Sequence, residues 1–388
     1  MGSFAVAGLF AGIGGIELGL DRAGHRTELL CEAWEPAASV LAERFPGVPV
    51  HPDVRTLRSL PRSVDLLTAG FPCQDLSQAG MAAGIGGSQS GLVDHVFRLI
   101  GRRHPRWLLL ENVQFMLQLD RGRAMSFLVA ELSDLGYRWA YRVVDSRFTG
   151  VPQRRRRVLL LASRAEDPRA VLFADDAGER PESDYRSDAF GFYWTEGLKG
   201  LGWARDAVPT LKGGSTVGIP SSPGIWVPDA EPGQKLIMPS IEDTEVLQGF
   251  PRGWTQPADL GRRNGPRWKL TGNAVTVGVA RWLGERLSSP GSPSGTSLRR
   301  EEGAPWPSAA WGDRSGVFRV DVSEYPRHES YVHLRDVVDE TAARPITNRG
   351  ARGFYGRTLS AKLRFDPKFI ADVVQHIEVT GSVESVPA

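Results

Sequence analysis

An apolar run, Phe4 to Phe10, breaks into Ala11-Gly12-Ile13-Gly14-Gly15 and then into a stretch where Ile16, Leu20 and Ala23 fall at helical spacing. Strand, glycine turn, helix is the start of a βαβ unit, and it commits the chain to a sheet with crossover helices. The alternation continues to about residue 165. Glu28 to Cys31 reads as the second strand and Ala37 to Phe45 as its helix. Val64 to Thr68, Trp107 to Leu110, Ala140 to Val144 and Val158 to Ala162 read as further strands. Ala124, Leu128, Leu132 and Leu135 mark a helix between two of them. The pattern predicts an α/β fold, with a doubly wound, Rossmann-like catalytic sheet over residues 1–165.

After Ser163 the chain becomes rich in Gly, Pro, Ser, Asp and aromatics, which predicts a small irregular or β-rich domain over 166–237. Helical pattern returns at Ile241 to Leu247 and Ala274 to Leu287, so 238–287 reads as a return segment that braces that domain and completes the first. Residues 288–297 (SSPGSPSGTS) have the composition of a flexible linker, and 298–388 form a basic C-terminal extension.

Composition narrows the function classes. With 41% apolar and 24% charged residues, the chain is expected to be a soluble globular protein. No apolar run has the length of a membrane span, and MGSFAVAGLF lacks a basic region and cleavage site, so no membrane contact and a cytoplasmic location are expected. Two cysteines, Cys31 and Cys73, are too few for a disulfide framework or a cysteine-based zinc site. No metal is expected, and a cysteine would matter for its thiol. The net charge of +2 hides a large excess of arginine over lysine, and arginine suits bidentate contact with phosphate and guanine.

The chemistry-bearing residues fall where strands are expected to end. Gly12, Gly14 and Gly15 would let the backbone approach a ligand at the sheet's carboxyl edge. Glu32 follows the second strand, about 20 residues on, where a carboxylate can hold a ribose hydroxyl pair. Asp53 lies after the third strand. Gly70-Phe71-Pro72-Cys73-Gln74 follows the strand ending at Thr68, so Cys73 is expected at the same edge, presented rigidly by Pro72. The glycine-rich stretch after it (SQAGMAAGIGGSQSG) reads as a lid. Glu111-Asn112-Val113 ends a strand of apolar residues, where desolvation would let Glu111 act as an acid, or Asn112 as a helix cap. In Gln153-Arg154-Arg155-Arg156-Arg157, strand alternation places Arg155 and Arg157 on one face.

These motifs together resemble the DNA cytosine-5 methyltransferases, over residues 4–165 and 238–287 and in the family's order. FAGIGG looks like the motif that wraps S-adenosylmethionine. The resemblance implies a cofactor site of Phe10, Gly12, Ile13, Gly14, Gly15, Glu32, Asp53, Val54, Gly70, Pro72, Leu92, Asn273, Ala274 and Val275. It implies Cys73 as nucleophile at cytosine C6, Glu111 as proton source at N3, and Arg157 at O2 with Arg155 beside it. Gln74, Ser77, Asn112, Gln153, Thr210 and Leu211 would meet DNA. Leu247-Gln248-Gly249-Phe250-Pro251 is similar to the motif that braces the recognition domain, and Pro209-Thr210-Leu211 resembles the Thr-Leu pair marking that domain. Two departures stand out: Ala33 occupies the place of an aromatic that often follows the ribose-binding acid, with Trp34 one later, and Glu242 to Val246 lack the usual arginine and alanines.

The implied partner is double-stranded DNA, with restriction or phage-defence proteins as the context, nucleoid association, and monomeric action as the default. Three rivals are testable on the same residues. An RNA-acting relative would carry a Cys-Phe-Thr motif, for which no cysteine is left, and an exocyclic-amine methyltransferase would need a Pro-Pro pair that is absent. A DNA-binding module with a dead core is disfavoured by intact Cys73, Glu111 and Arg157.

Overall fold

The computed structural model describes residues 2–71, 91–193, 201–213, 222–259, 265–361 and 363–384. The chain forms two compact units. One comprises Met1–Phe148, Arg156–Arg180 and Val275–His328; the other comprises Thr149–Arg155, Pro181–Ala274 and Glu329–Ala388.

In the first unit, β1 (Ala5–Leu9), β2 (Arg26–Cys31), β3 (Val50–His51), β4 (Leu66–Ala69) and β5 (Trp107–Val113) run parallel in the order β3-β2-β1-β4-β5. The antiparallel strands β8 (Arg156–Ser163) and β6 (Arg138–Asp145) follow. The order reverses at β1, so β1 and β4 flank the switch point where a crevice opens at the carboxyl ends of the strands. Central strands covered on both faces need continuous apolar residues. In β5, Leu108 and Leu110 face a core with α3 (Leu92–Arg103) and α4 (Arg123–Asp134). Trp107 and Leu109 face the opposite core with α1 (Gly15–Arg22) and the helix Val277–Ser288. The helix α2 (Glu35–Arg44) follows β2.

The expected linker and extension take different forms from those the composition suggested. The Gly291 N–H donates to the Ala170 carbonyl, and both the N–H and the hydroxyl of Ser294 donate to that of Phe173, so 289–296 is tied down. Then β14 (Ser297–Arg299), β15 (Ala309–Asp313) and β16 (Gly316–Val320) extend the sheet through β15 on β6, giving ten strands among the described residues. Residues 166–180, expected in the second domain, sit in the first unit. The buried Arg142 guanidinium explains this, since it donates to the carbonyls of Leu172, Asp175 and Ser323 and to the Asp176 carboxylate.

The second unit is built on an antiparallel sheet in the order β10-β9-β12-β13-β17, formed by β9 (Phe190–Tyr193), β10 (Gly202–Arg205), β12 (Gly224–Trp226), β13 (Leu236–Met238) and β17 (Arg344–Pro345). A short parallel pair joins β7 (Gln153–Arg154) to β11 (Val208–Pro209). Its helices are α6 (Ile241–Leu247), α7 (Arg267–Asn273), α9 (Leu334–Val337), α10 (Asn348–Thr358) and α11 (Pro367–Glu384), which leaves α5 (Arg169–Leu172) and α8 (Val277–Ser288) to the first unit. The C-terminal residues complete this unit. Phe354 and Phe369 pack with Phe192 and Trp226, and the Asp372 carboxylate accepts from the Trp226 indole at 2.9 Å and Lys235 at 2.7 Å. Among the described residues no helix is long and apolar enough to cross a membrane, and no cluster of His, Cys, Asp and Glu could hold a metal.

Candidate active site

The turn after β1 alternates left-handed residues: Phe10 at φ 55°, Gly12 at 56° and Gly14 at 79°. A bulky residue rarely adopts that conformation, so Phe10 stores strain where the backbone must bend. Glu32 fixes the turn from the neighbouring strand end. Its carboxylate accepts the Gly12 N–H and the Trp34 N–H, each at 2.8 Å. Burial pushes the Glu32 carboxyl up, and the backbone N–H groups of Trp34, Gly12 and Ala33 oppose that. A Cβ on Gly12 would meet nothing within 4 Å, so space lies open over the turn. Ile13 is buried and Gly15 begins α1.

Other expected cofactor residues are placed less simply. Asp53 is engaged by Arg55, whose side chain and N–H both donate to it and hold its carboxyl below the usual range. Val54 is buried in the core, with its carbonyl accepting from Arg98. Leu92 opens α3 and packs, like Phe10, against the core beneath the sheet edge.

At the end of β5 the expected acid meets a cation. Glu111 lies opposite Leu159, and Arg157 opposite Val113, which makes them diagonal neighbours on one face of the β5–β8 ladder. The Arg157 Nε approaches the Glu111 Oε1 to 3.0 Å, with both side chains about nine-tenths buried. Burial pulls the Arg157 guanidinium down and Glu111 counters it. Glu111 is therefore held against a guanidinium at this edge. A Cβ on Gly70 would come within 3.4 Å of Glu111 and 4.0 Å of the Phe10 carbonyl, which gathers the three motifs at one edge.

Asn112, expected against DNA, instead donates to the Phe71 carbonyl at 3.0 Å, and its Oδ1 accepts the Val113 N–H. It ties β5 to the segment leading to Cys73. Pro72, Cys73, Gln74 and Ser77 lie outside the described residues. Cys31 is buried, and desolvation with the nearby Glu32 and Asp53 carboxylates pushes its thiol up to about 12. It is inert as a nucleophile.

In the second unit, several expected contact residues are spent internally. Arg155 is 1% exposed and donates to the carbonyls of Leu211 (3.0 Å), Gly272 (3.2 Å) and Ala274 (2.7 Å). It holds two turns together. Gln153 donates to the Leu247 carbonyl and Gln248 and accepts the Leu211 N–H, again away from solvent. The Thr210 hydroxyl donates to the Arg154 carbonyl, and Leu211 is core. Asn273, ending α7, lies against Gly213, and Ala274 follows as the helix cap. Val275 belongs to the first unit and packs on its core.

Glu17 belongs to no sequence motif, yet the structure sets it beside the glycine turn. Glu17 is 1% exposed in α1, its Oε1 accepts from the Thr68 hydroxyl at 3.0 Å, and a Cβ on Gly8 would come within 2.1 Å of it. The signal is a carboxylate on the apolar face of α1, in the helix's first turn. Burial raises the Glu17 carboxyl to about 7. An acid raised in the fold contributes stability that is full below its unfolded value, near 4.5, and is lost as pH rises through about 7. Glu17→Gln should flatten the pH dependence of stability between those limits and stabilise the fold at pH 8 by up to about 3 kcal/mol. Urea unfolding across pH checks this, and an unchanged pH slope would remove Glu17 as its source.

Comparisons with known proteins show what the chain is similar to. The family model described as C-5 cytosine-specific DNA methylase matches residues 4–189. The chain is 47% identical over 368 residues to the type II methyltransferase M2.BsuMI of Bacillus subtilis (strain 168), covering 91% of this chain and 92% of that protein. It is 28% identical to the type II methyltransferase M.MspI of a Moraxella species, over 74% of this chain and 70% of that one. Among solved structures, the S. pombe Dnmt2 methyltransferase aligns with a TM-score of 0.54 at 18% identity, covering 73% of this chain and 98% of that chain, a likeness of fold.

Proposed function

The chain belongs to the C-5 cytosine-specific DNA methylases, and from that premise we propose that it methylates cytosine C5 at one short duplex sequence, as the modification enzyme of a type II restriction system. The Glu111–Arg157 pair beside Gly70 carries the reading, because it sets a carboxylate and a guanidinium together at the switch-point edge. The type II role is carried over from the relatives' names.

S-adenosylmethionine supplies an electrophilic methyl group when bound. The residues fit such a group: the Gly12 turn leaves open space, and the Glu32 carboxylate is held ready for a ribose by two N–H groups. Cytosine C5 is a poor nucleophile until something adds at C6. A free thiol is only a few per cent ionised near pH 7, with its pKa of about 8.5. Cys73 adds to C6 as the thiolate, while Glu111 holds a proton at N3 that drains the charge and Arg157 binds O2. The electron pair released at C5 would accept the cofactor's methyl group, with S-adenosylhomocysteine as the leaving group. Loss of the C5 proton to water and expulsion of the Cys73 thiolate then restore the aromatic ring. The target base must leave the stack to be reached, at a few kcal/mol.

Base-resolution bisulfite sequencing of DNA from a host without its own cytosine methylation tests the reading. Methylcytosine at one short sequence, present with the native chain and absent with Cys73→Ala, is expected. Absence of methylcytosine with folded native protein would overturn it.

A further inference from the structure

We propose that α10 in the second unit presents an arginine face that grips the phosphate backbone of duplex DNA. The inference rests on the DNA substrate proposed above and adds a contact outside the matched family region, which ends at residue 189. Residues 344–365 carry Arg344, Arg349, Arg352, Arg357, Lys362 and Arg364 and no Asp or Glu, in a chain whose net charge is only +2. Such a one-signed segment complements a polyanion.

The helix places two of these charges, Arg349 and Arg352, on one side. At about 100° per residue, Arg349, Arg352, Gly353 and Gly356 share a face, and all four are exposed. Ala351 and Phe354 occupy the opposite face and are buried in the aromatic core with Phe192 and Phe369. The anchored side is thus apolar and the free side cationic. Arg352 donates through Nε to the Asn348 amide oxygen and its guanidinium lies near Gly381 of α11, whereas Arg349 has no acidic partner among the described residues.

The free side also works against the helix. Its first turn holds no acidic residue, although Arg349 stands there and the macrodipole disfavours a cation at that end. A Cβ on Gly353 or Gly356 would meet nothing within 4 Å, so internal packing does not call for glycine, a poor helix former. Local choices that contradict the fold point to function. An anionic backbone lying along this face reconciles both: it neutralises the arginines, and the bare glycine surface lets it come close.

Full-length Arg349→Gln/Arg352→Gln protein tests this, with binding to the cognate duplex measured against salt and the methylated sequence read alongside. Loss of two phosphate contacts should weaken binding roughly tenfold and make the log–log salt slope shallower by about 2, with the same sequence methylated. The melting temperature should fall by no more than loss of the Arg352–Asn348 hydrogen bond accounts for, and Arg349→Lys/Arg352→Lys should recover most of the slope. Gly353→Ala/Gly356→Ala should melt higher yet bind DNA more weakly. An unchanged affinity and slope in the glutamine variant, or an altered target sequence at unchanged slope, overturns the proposal. Native protein that methylates no DNA in the same assay overturns instead the reading it rests on.

Discussion

Cys73→Ser is expected to lower methyl transfer by at least about 10³-fold while DNA and cofactor binding persist. The loss follows from electron supply. Cytosine C6 must be attacked before C5 can take a methyl group, and an alcohol is far less acidic and less nucleophilic than a thiol. No second thiol can stand in, because Cys31 is buried and its thiol is pushed up to about 12. Duplex DNA carrying 5-fluorocytosine gives an independent readout, since fluorine blocks loss of the C5 substituent and traps the covalent adduct. The native enzyme should form an adduct that survives denaturation and Cys73→Ser should not. A variant that keeps methylating near the native rate would show that another group attacks.

Glu111→Gln is expected to cut turnover by about 10²- to 10⁴-fold, the usual range for a general acid–base group. Glutamine keeps an oxygen that can face Arg157 but cannot pass a proton to cytosine N3. The readout that separates chemistry from scaffolding is the split between turnover and binding. A proton donor lost from an intact site leaves Kd for DNA and cofactor nearly as before. If both binding constants worsen as much as turnover, Glu111 serves mainly to hold Arg157 in place across the β5–β8 ladder.

The sheet was legible in the chain because its strands are buried on both faces and read as unbroken apolar runs, as in Trp107 to Leu110. The glycine turn and Glu32 were legible for a related reason, since sharp turns at strand ends need few residue types. What escaped the sequence was the destination of polar side chains. Arg155, Asn112 and Gln153 look like ligands in one dimension, yet each satisfies backbone carbonyls or N–H groups that would otherwise be buried without a partner. Glu17 escaped because a lone carboxylate among apolar residues gives no sign of how deeply its helix will be covered. The linker composition of 288–297 misled because two backbone hydrogen bonds and a serine hydroxyl hold it.

Both compact units draw on widely separated parts of the chain, and each uses residues beyond position 300. During synthesis, then, neither has its complete set of strands until the ribosome has made nearly everything else. The first sheet must wait for β15 to cover β6, and the second for β17 and the aromatic residues of α10 and α11. Contacts of such long sequence separation are costly in loop entropy and slow to form. The same interleaving means that exchange of one contiguous gene segment between relatives cannot transplant either unit whole, so target preference in this architecture should drift by point substitution more readily than by recombination.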